Sequence, residues 1–234
     1  MVVGMKAPSF SYSSLSQFIT CPKNYEAHKV LKYIPFTDTD ATLYGKDVHL
    51  AAEHYIGSGT PLPEKYNYIK GYLDTLNNIK GDKFCELELG IKLEGGEYSL
   101  CDFEAKDRYW RGIADLVIVD EAAGKAYIVD YKTGKSAKYA DTKQLALLAA
   151  AVFLKYPAVK TIKGMLLFVV SQEVVKAEYT YDRRFEIFDN LKEVLMQREV
   201  AYETGIFNTK PNGLCRQWCQ AVRCVHNGRY DGDK

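Results

Sequence analysis

RGIADLVIVDEAAGKAYIVDYK, residues 111–132, holds two β-rich runs, 112–119 and 126–132, on either side of a six-residue turn segment, 120–125. Gly124 supplies the positive-φ residue that a tight reversal needs, so the stretch reads as a β-hairpin. A ladder symmetric about that turn faces Val119 with Ala126 and, four positions on, Asp115 with Asp130. Two carboxylates then meet on one sheet face. Strand alternation adds Lys132 to that face and turns Val129 and Tyr131 to the other.

Like charges directly opposite on a ladder are destabilising, and aspartate is depleted in strands. The pair makes physical sense when a cation sits between its members, and a divalent metal is the simple candidate. Oxygen ligands of this hardness select Mg2+ or Mn2+. The plainer alternative makes Asp120 and Asp130 strand-end caps and Lys132 the partner of a surface ion pair. It leaves mid-strand Asp115 without a purpose.

Working outward, 234 residues with 47% hydrophobic and 26% charged side chains make a soluble, globular composition, long enough for one sizeable α/β domain. No apolar run approaches the ~20 residues of a membrane span, and the N-terminal stretch lacks a sustained apolar signal core, so no membrane partner and a cytoplasmic address are expected. A net charge of +1 means that any nucleic-acid surface must be a local patch. Lys23, Lys135, Lys138, Lys143, Arg183, Arg184, Arg216 and Arg223 are the candidate phosphate contacts. The six cysteines, without secretory features around them, read as thiols or metal ligands rather than disulfides.

Along the chain, Pro22 separates two short helices, 12–20 and 22–32. A helix over 48–57, ended by Gly57, carries His49 and Glu53 on a common face. A Pro-flanked helix follows over 64–80. Residues 84–92 alternate as a strand that pairs with 97–104 across Gly95-Gly96; Glu86 and Glu88 share one face, and either reaches the metal site if this strand neighbours the hairpin, but an exposed polar face explains them as well and both are left out of the site. After the central hairpin come an Ala-rich helix over 140–156 with Gln144 near its start, two strands over 161–170 and 174–181, and an amphipathic helix over 185–204 whose buried repeat includes Arg198. The expected fold class is α/β, a central mixed β-sheet flanked by helices.

The Gly112-Ile-Ala-Asp115 and Asp130-Tyr-Lys132 runs resemble the PD-(D/E)XK nuclease superfamily, in particular its RecB-type exonuclease branch, which includes the CRISPR-associated RecB-like exonucleases. Ser14-x-x-x-Phe18-x-x-Cys21-Pro22 is similar to the opening of many RecB-type nucleases, and Gly45-x-x-x-His49 resembles their metal-binding histidine. The resemblance implies a restriction-endonuclease-like core and a single nuclease domain over 1–234, with a helical N-terminal part (1–80), a catalytic α/β core (81–205) and a Cys-rich tail (206–234). It implies catalytic roles for Asp115, Asp130, Lys132 and Gln144, and metal ligation by His49, Asp115, Asp130 and the Tyr131 carbonyl, with the histidine tilting the choice toward Mn2+. In the family, a tyrosine usually follows the helix glutamine by four residues; here Leu148 stands there.

Cys215-x3-Cys219-x4-Cys224 has the density of a metal-thiolate site, with Cys21 or His226 as a fourth ligand. Iron–sulfur nucleases of the RecB branch look similar, with one N-terminal and three C-terminal cysteines, although their tail spacing is Cys-x2-Cys-x5-Cys. A 4Fe-4S cluster on Cys21, Cys215, Cys219 and Cys224, a Zn2+ ion, and free thiols in a packed tail are the three readings. The function implied is that of a metal-dependent DNA exonuclease acting at DNA ends or on single strands, in recombination, repair or phage replication, alongside recombination or helicase partner proteins. A structure-selective endonuclease, a non-catalytic nucleic-acid-binding subunit and a metal-cluster redox protein are the alternatives.

Overall fold

The computed structural model describes residues 4–35, 37–230 and 232, so the outermost ends of the expected 1–80 and 206–234 segments lie outside the described residues. Two compact units divide the chain, one formed by 38–189 and one by the residues up to 37 together with those from 190 onward.

The unit of 38–189 is a six-stranded mixed sheet in the order β2-β1-β3-β4-β5-β6. Its strands are β1 (Asp82–Glu94), β2 (Glu97–Cys101), β3 (Trp110–Asp120), β4 (Lys125–Lys132), β5 (Thr161–Phe168) and β6 (Glu173–Thr180). Only β4 and β5 run parallel, which the crossover through an intervening helix, Lys143–Lys155, makes possible; the other neighbours are antiparallel. The expected α/β class and mixed sheet are therefore present. Gly124 has φ +63 in the hairpin turn, and Val119 faces Ala126 as the symmetric register requires.

Helices α1 (Tyr12–Thr20) and α2 (Pro22–Tyr25), the latter running on into a wider turn at Glu26–Val30, belong to the other unit. On the sheet, α3 (Asp40–Ser58) and α4 (Lys70–Asn77, entered through a tighter turn at Glu64–Ile69) cover one face. Val48, Ala52, Ile69 and Leu73 pack there against Leu116, Ile118, Val129 and Tyr131. Helix α5 (Lys143–Lys155) packs across all six strands and buries Leu145 and Leu148 completely or nearly so. Helix α3 is longer than its sequence pattern indicates. A Thr39–Thr42 capping box satisfies its first orphan amides, and it ends at Gly59 (φ +69) rather than at Gly57.

The second unit is held by α1, α2 and the later part of α6 (Glu186–Thr204), with the division falling inside α6 at Asn190. Phe18, Tyr25, Ala201, Tyr202 and Phe207 form its core. Arg198 lies within it, 1% exposed.

Candidate active site

The hairpin is zipped from its turn only as far as Leu116↔Val129, one position short of Asp115 and Asp130. Beyond that point an amide of β4 loses its strand partner, and Asp115 replaces it: its Oδ2 accepts the Tyr131 backbone N–H at 2.7 Å. A carboxylate thus takes over a ladder bond where the strands part, which answers why an aspartate stands in mid-strand. On the other edge of β3, Cys85↔Leu116 and Leu87↔Ala114 keep one offset, so Glu86 of β1 faces Asp115 without forming a ladder pair. Glu86 has φ +48, a conformation that a residue with a Cβ adopts at a cost.

Face alternation slips at this level. A Cβ on Gly112 would lie 2.6 Å from the Trp110 ring and 3.3 Å from Leu148 of α5. Leu116 and Ile118, an even number of residues further on, pack instead under α3 and α4. Glycine at 112 is what lets Trp110 and α5 close over the strand, and Leu148, where the resembling family carries tyrosine, is a core contact here.

Glu86 of β1 thus lies across from Asp115 on one side of β3, and Asp130 of β4 lies close enough on the other for the two charges to interact. Helix α3 brings His49 to them, because Val48 and Ala52 beside it are fully buried against the sheet. His49 Nε2 lies 3.0 Å from the Tyr131 carbonyl oxygen, and Nδ1 lies 3.4 Å from Asp115 Oδ2. With the Nε2 proton given to that carbonyl, the Nδ1 lone pair faces a carboxylate, an arrangement that a cation between them stabilises. Ligand atoms of His49, Glu86 and Asp115 all lie within 4.8 Å of one another, the one such group of three or more among the described residues.

Asp115 is the shared member of two constellations. On its β1 side stands the trio with Glu86 and His49; on its β4 side stands Asp130, 2% exposed, whose Oδ2 is 2.5 Å from Lys132 Nζ. Lys132 Nζ also donates to Gln144 Oε1 at 3.2 Å, so the first turn of α5 holds the amine in place.

The electrostatics follow from this crowding. Burial, then the Asp115 charge, pushes the Glu86 carboxyl up to about 7. Asp130 is pushed up to about 6 by burial and by Asp115, against the pull of Lys132. For His49, burial works downward, but the hydrogen bond and charge of Asp115, aided by Asp130 and Glu86, raise it overall. Every shift has the sign expected of a site that lacks positive charge. One imidazole nitrogen and several carboxylate oxygens, too close for their own charge, fit a hard divalent ion such as Mg2+ or Mn2+. A cleft of about 630 Å³ opens beside His49, Glu53, Glu86 and Thr133, with Lys46 on its wall.

Of the residues singled out from sequence, His49, Asp115, Asp130, Tyr131, Lys132 and Gln144 are thus drawn together. Glu86, left out of the site on its sequence pattern although a neighbouring strand would bring it there, lies with them. The register of β1 on β3 that brings it there joins strands distant in sequence. Its one local signal was an acid in a strand, and Glu88 shares that signal while staying exposed opposite Ile113.

The four cysteines lie in the other unit, each partly buried and none in a disulfide. The tail folds back on itself, Gly228 N donating to the Cys215 carbonyl at 3.0 Å and Asn227 Nδ2 to the Cys219 carbonyl at 2.9 Å. Cys219 Sγ accepts from Asn24 Nδ2 at 3.5 Å, and Cys215 Sγ from the Asn212 amide at 3.4 Å.

The profile of the PD-(D/E)XK nuclease superfamily matches residues 9–224, and the chain belongs to that superfamily. That superfamily is one of metal-dependent nucleases, whose substrate is nucleic acid and whose reaction is phosphodiester hydrolysis. Among solved structures, one described as "Crystal structure of SSO0001" is similar at 13% identity and a TM-score of 0.44, covering 95% of this chain and 89% of that one. No curated protein matches the chain. Among the described residues no helix is long and apolar enough to cross a membrane.

Proposed function

We propose that the protein is a divalent-metal-dependent deoxyribonuclease that trims DNA from ends or along single strands. The observation that carries the reading is the row Glu86–Asp115–Asp130 with His49 on one flank and Lys132 on the other. His49, Glu86 and Asp115 would hold the ion, with the buried Asp130 carboxylate and the Tyr131 carbonyl beside them. When bound, Mg2+ or Mn2+ supplies an acidified water and offsets charge on the phosphoryl oxygens. The chain does the rest. Asp130 and Gln144 hold the Lys132 ammonium, which meets the charge that develops on the phosphoryl group and orients the attacking water. Asp115 keeps the strands parted at the fork by taking the Tyr131 amide. Water adds to phosphorus, the bridging P–O bond breaks, and a phosphate monoester and a hydroxyl result.

Action at ends rather than within strands rests on the likeness of the Gly112-x-x-Asp115, Asp130-x-Lys132 and His49 elements to the RecB-type branch, which also supports a place in recombination, repair or phage replication. The experiment is to offer end-labelled linear and covalently closed DNA, single- and double-stranded, with Mg2+ or Mn2+. Linear DNA shortened from its ends, with circles spared, is the expected result. Cleavage of circles makes the enzyme an endonuclease, and no cleavage of any form overturns the reading.

For the cysteines we propose a 4Fe-4S cluster on Cys21, Cys215, Cys219 and Cys224. The back-folded tail and the N–H···S bonds to Cys215 and Cys219, of the type that stabilise cluster thiolates, support it. Anaerobically purified protein should carry stoichiometric iron and sulfide and a visible absorption band; zinc, or no metal, in that preparation overturns it.

A further inference from the structure

Residues 133–142 join the two halves of the lysine's support, starting directly after Lys132 and ending two residues before Gln144. Ala140 N donates to the Ala137 carbonyl at 2.9 Å, so Lys138 and Tyr139 occupy the two corners of a hydrogen-bonded turn. The turn is anchored rather than loose. Ala137 N donates to Glu173 Oε1 at 3.2 Å, Lys138 N to Ser136 Oγ at 3.1 Å, and at the far end Tyr179 Oη to the Thr142 carbonyl at 3.1 Å.

At the tip of this braced turn Tyr139 is 86% exposed, the most exposed large hydrophobic side chain among the described residues. The Lys138 ammonium lies 5.3 Å from its ring centroid, and Lys135 and Lys143 are exposed to either side. A single exposed tyrosine is ordinary. One presented on a hydrogen-bonded turn, with the Lys138 ammonium beside its ring and unable to lie more than ~17 Å by chain length from the lysine's glutamine partner, is a stacking platform beside a phosphate-handling site.

We propose that Tyr139 stacks on an unpaired base of the substrate strand while Lys135 and Lys138 take the neighbouring phosphates, so that this turn selects single-stranded or frayed DNA for the cleft. The proposal rests on the nuclease reading above and names the substrate feature that the site prefers. Base-paired DNA offers no free face to the ring, whereas any unpaired base does, so the preference is for strandedness and not for sequence.

The test compares wild type, Tyr139→Ala and Tyr139→Trp as full chains. On single-stranded oligonucleotides with Mn2+, Tyr139→Ala should raise KM about tenfold, the effect of losing one base–aromatic stack. KM for a blunt duplex should move far less, and Tyr139→Trp should restore the single-strand value. In an Asp115→Asn background, which binds without cutting, an oligonucleotide carrying 2-aminopurine should be quenched on binding, and the Tyr139→Ala change should abolish the quenching. Equal KM for wild type and Tyr139→Ala on single strands, or an equal rise on single strands and duplex, overturns the stacking proposal and leaves the nuclease reading intact. A wild type that cuts neither DNA form with either ion overturns the nuclease reading instead, while quenching is read independently of it.

Discussion

The two most deeply buried charged side chains among the described residues are Arg198 in one unit and Asp130 in the other, at 1% and 2% exposure. Arg198 is surrounded by what a guanidinium wants. It donates to the Pro8 carbonyl at 2.8 Å and to the Tyr25 hydroxyl at 3.2–3.3 Å, and the Tyr25 and Tyr202 rings lie within 5.8 Å of it. Asp130 has Lys132 on one side and, on the other, a second carboxylate that drives its proton affinity up. One buried charge is satisfied by neutral groups and closes a core. The other is paired with the Lys132 ammonium but buried beside a second carboxylate, a repulsion that a further cation would relieve. Burial of charge alone therefore does not distinguish structure from chemistry; the sign and number of the neighbours does.

The contrast breaks first at the acids. Asp115→Asn and Asp130→Asn should each lower cleavage by roughly 10³-fold or more, as loss of a group that organises transition-state charge does. The thermal midpoint of metal-free Asp130→Asn should stay level or rise, since a like-charge contact is removed; a midpoint far below wild type would make Asp130 a structural residue. Arg198→Met should behave in the opposite way. It leaves the Pro8 carbonyl without its donor and the Tyr25 hydroxyl with Tyr202 as its remaining partner, and should cost about 2–4 kcal/mol in urea unfolding, with turnover per folded molecule unchanged.

Glu86→Gln sharpens the comparison within the site. Glu86 is one donor of a trio in which His49 and Asp115 remain, so Mn2+ affinity should fall about 10–100-fold, with cleavage recovered at high Mn2+. Recovery that needs no extra Mn2+ would place Glu86 outside the ion's coordination. The smallest effect is that of pH. Glu86 near 7 and Asp130 near 6 lie above ordinary carboxylates, so the folded chain holds protons that the unfolded chain releases down to about pH 4. The raised His49 acts in the same direction. Metal-free stability should thus increase as pH falls from 8 toward 5. Mn2+ has to displace those protons, so its affinity should drop over the same range. Parallel titrations of melting point and Mn2+ affinity check both signs.

What the sequence makes legible is what short-range geometry settles. A turn built on Gly124 puts Val119 against Ala126, and counting by twos from there reaches Asp115 and Asp130. Lys132 follows from alternation, whereas Gln144 was singled out only by the resemblance to the nuclease superfamily. Glu86 was legible only conditionally, as a residue that reaches the site if its strand neighbours the hairpin; whether it does depends on β1 docking against β3 and on a positive φ that no periodicity announces. The buried Arg198 looked like one more member of an amphipathic repeat. Its partners Pro8 and Tyr25 lie at the other end of the chain, and such contacts are set by packing rather than by pattern. For the cysteines, spacing reveals density but not where the sulfurs point.

A divalent ion held at Asp115 between Glu86 and His49 is the centre of the proposed chemistry. Isothermal titration of Mn2+ into the metal-free protein, without DNA, measures it directly. One Mn2+ binding event in this unit is expected for wild type, lost in Asp115→Asn, weakened in Glu86→Gln and kept in Gln144→Ala. Unaltered Mn2+ binding by Asp115→Asn would contradict it.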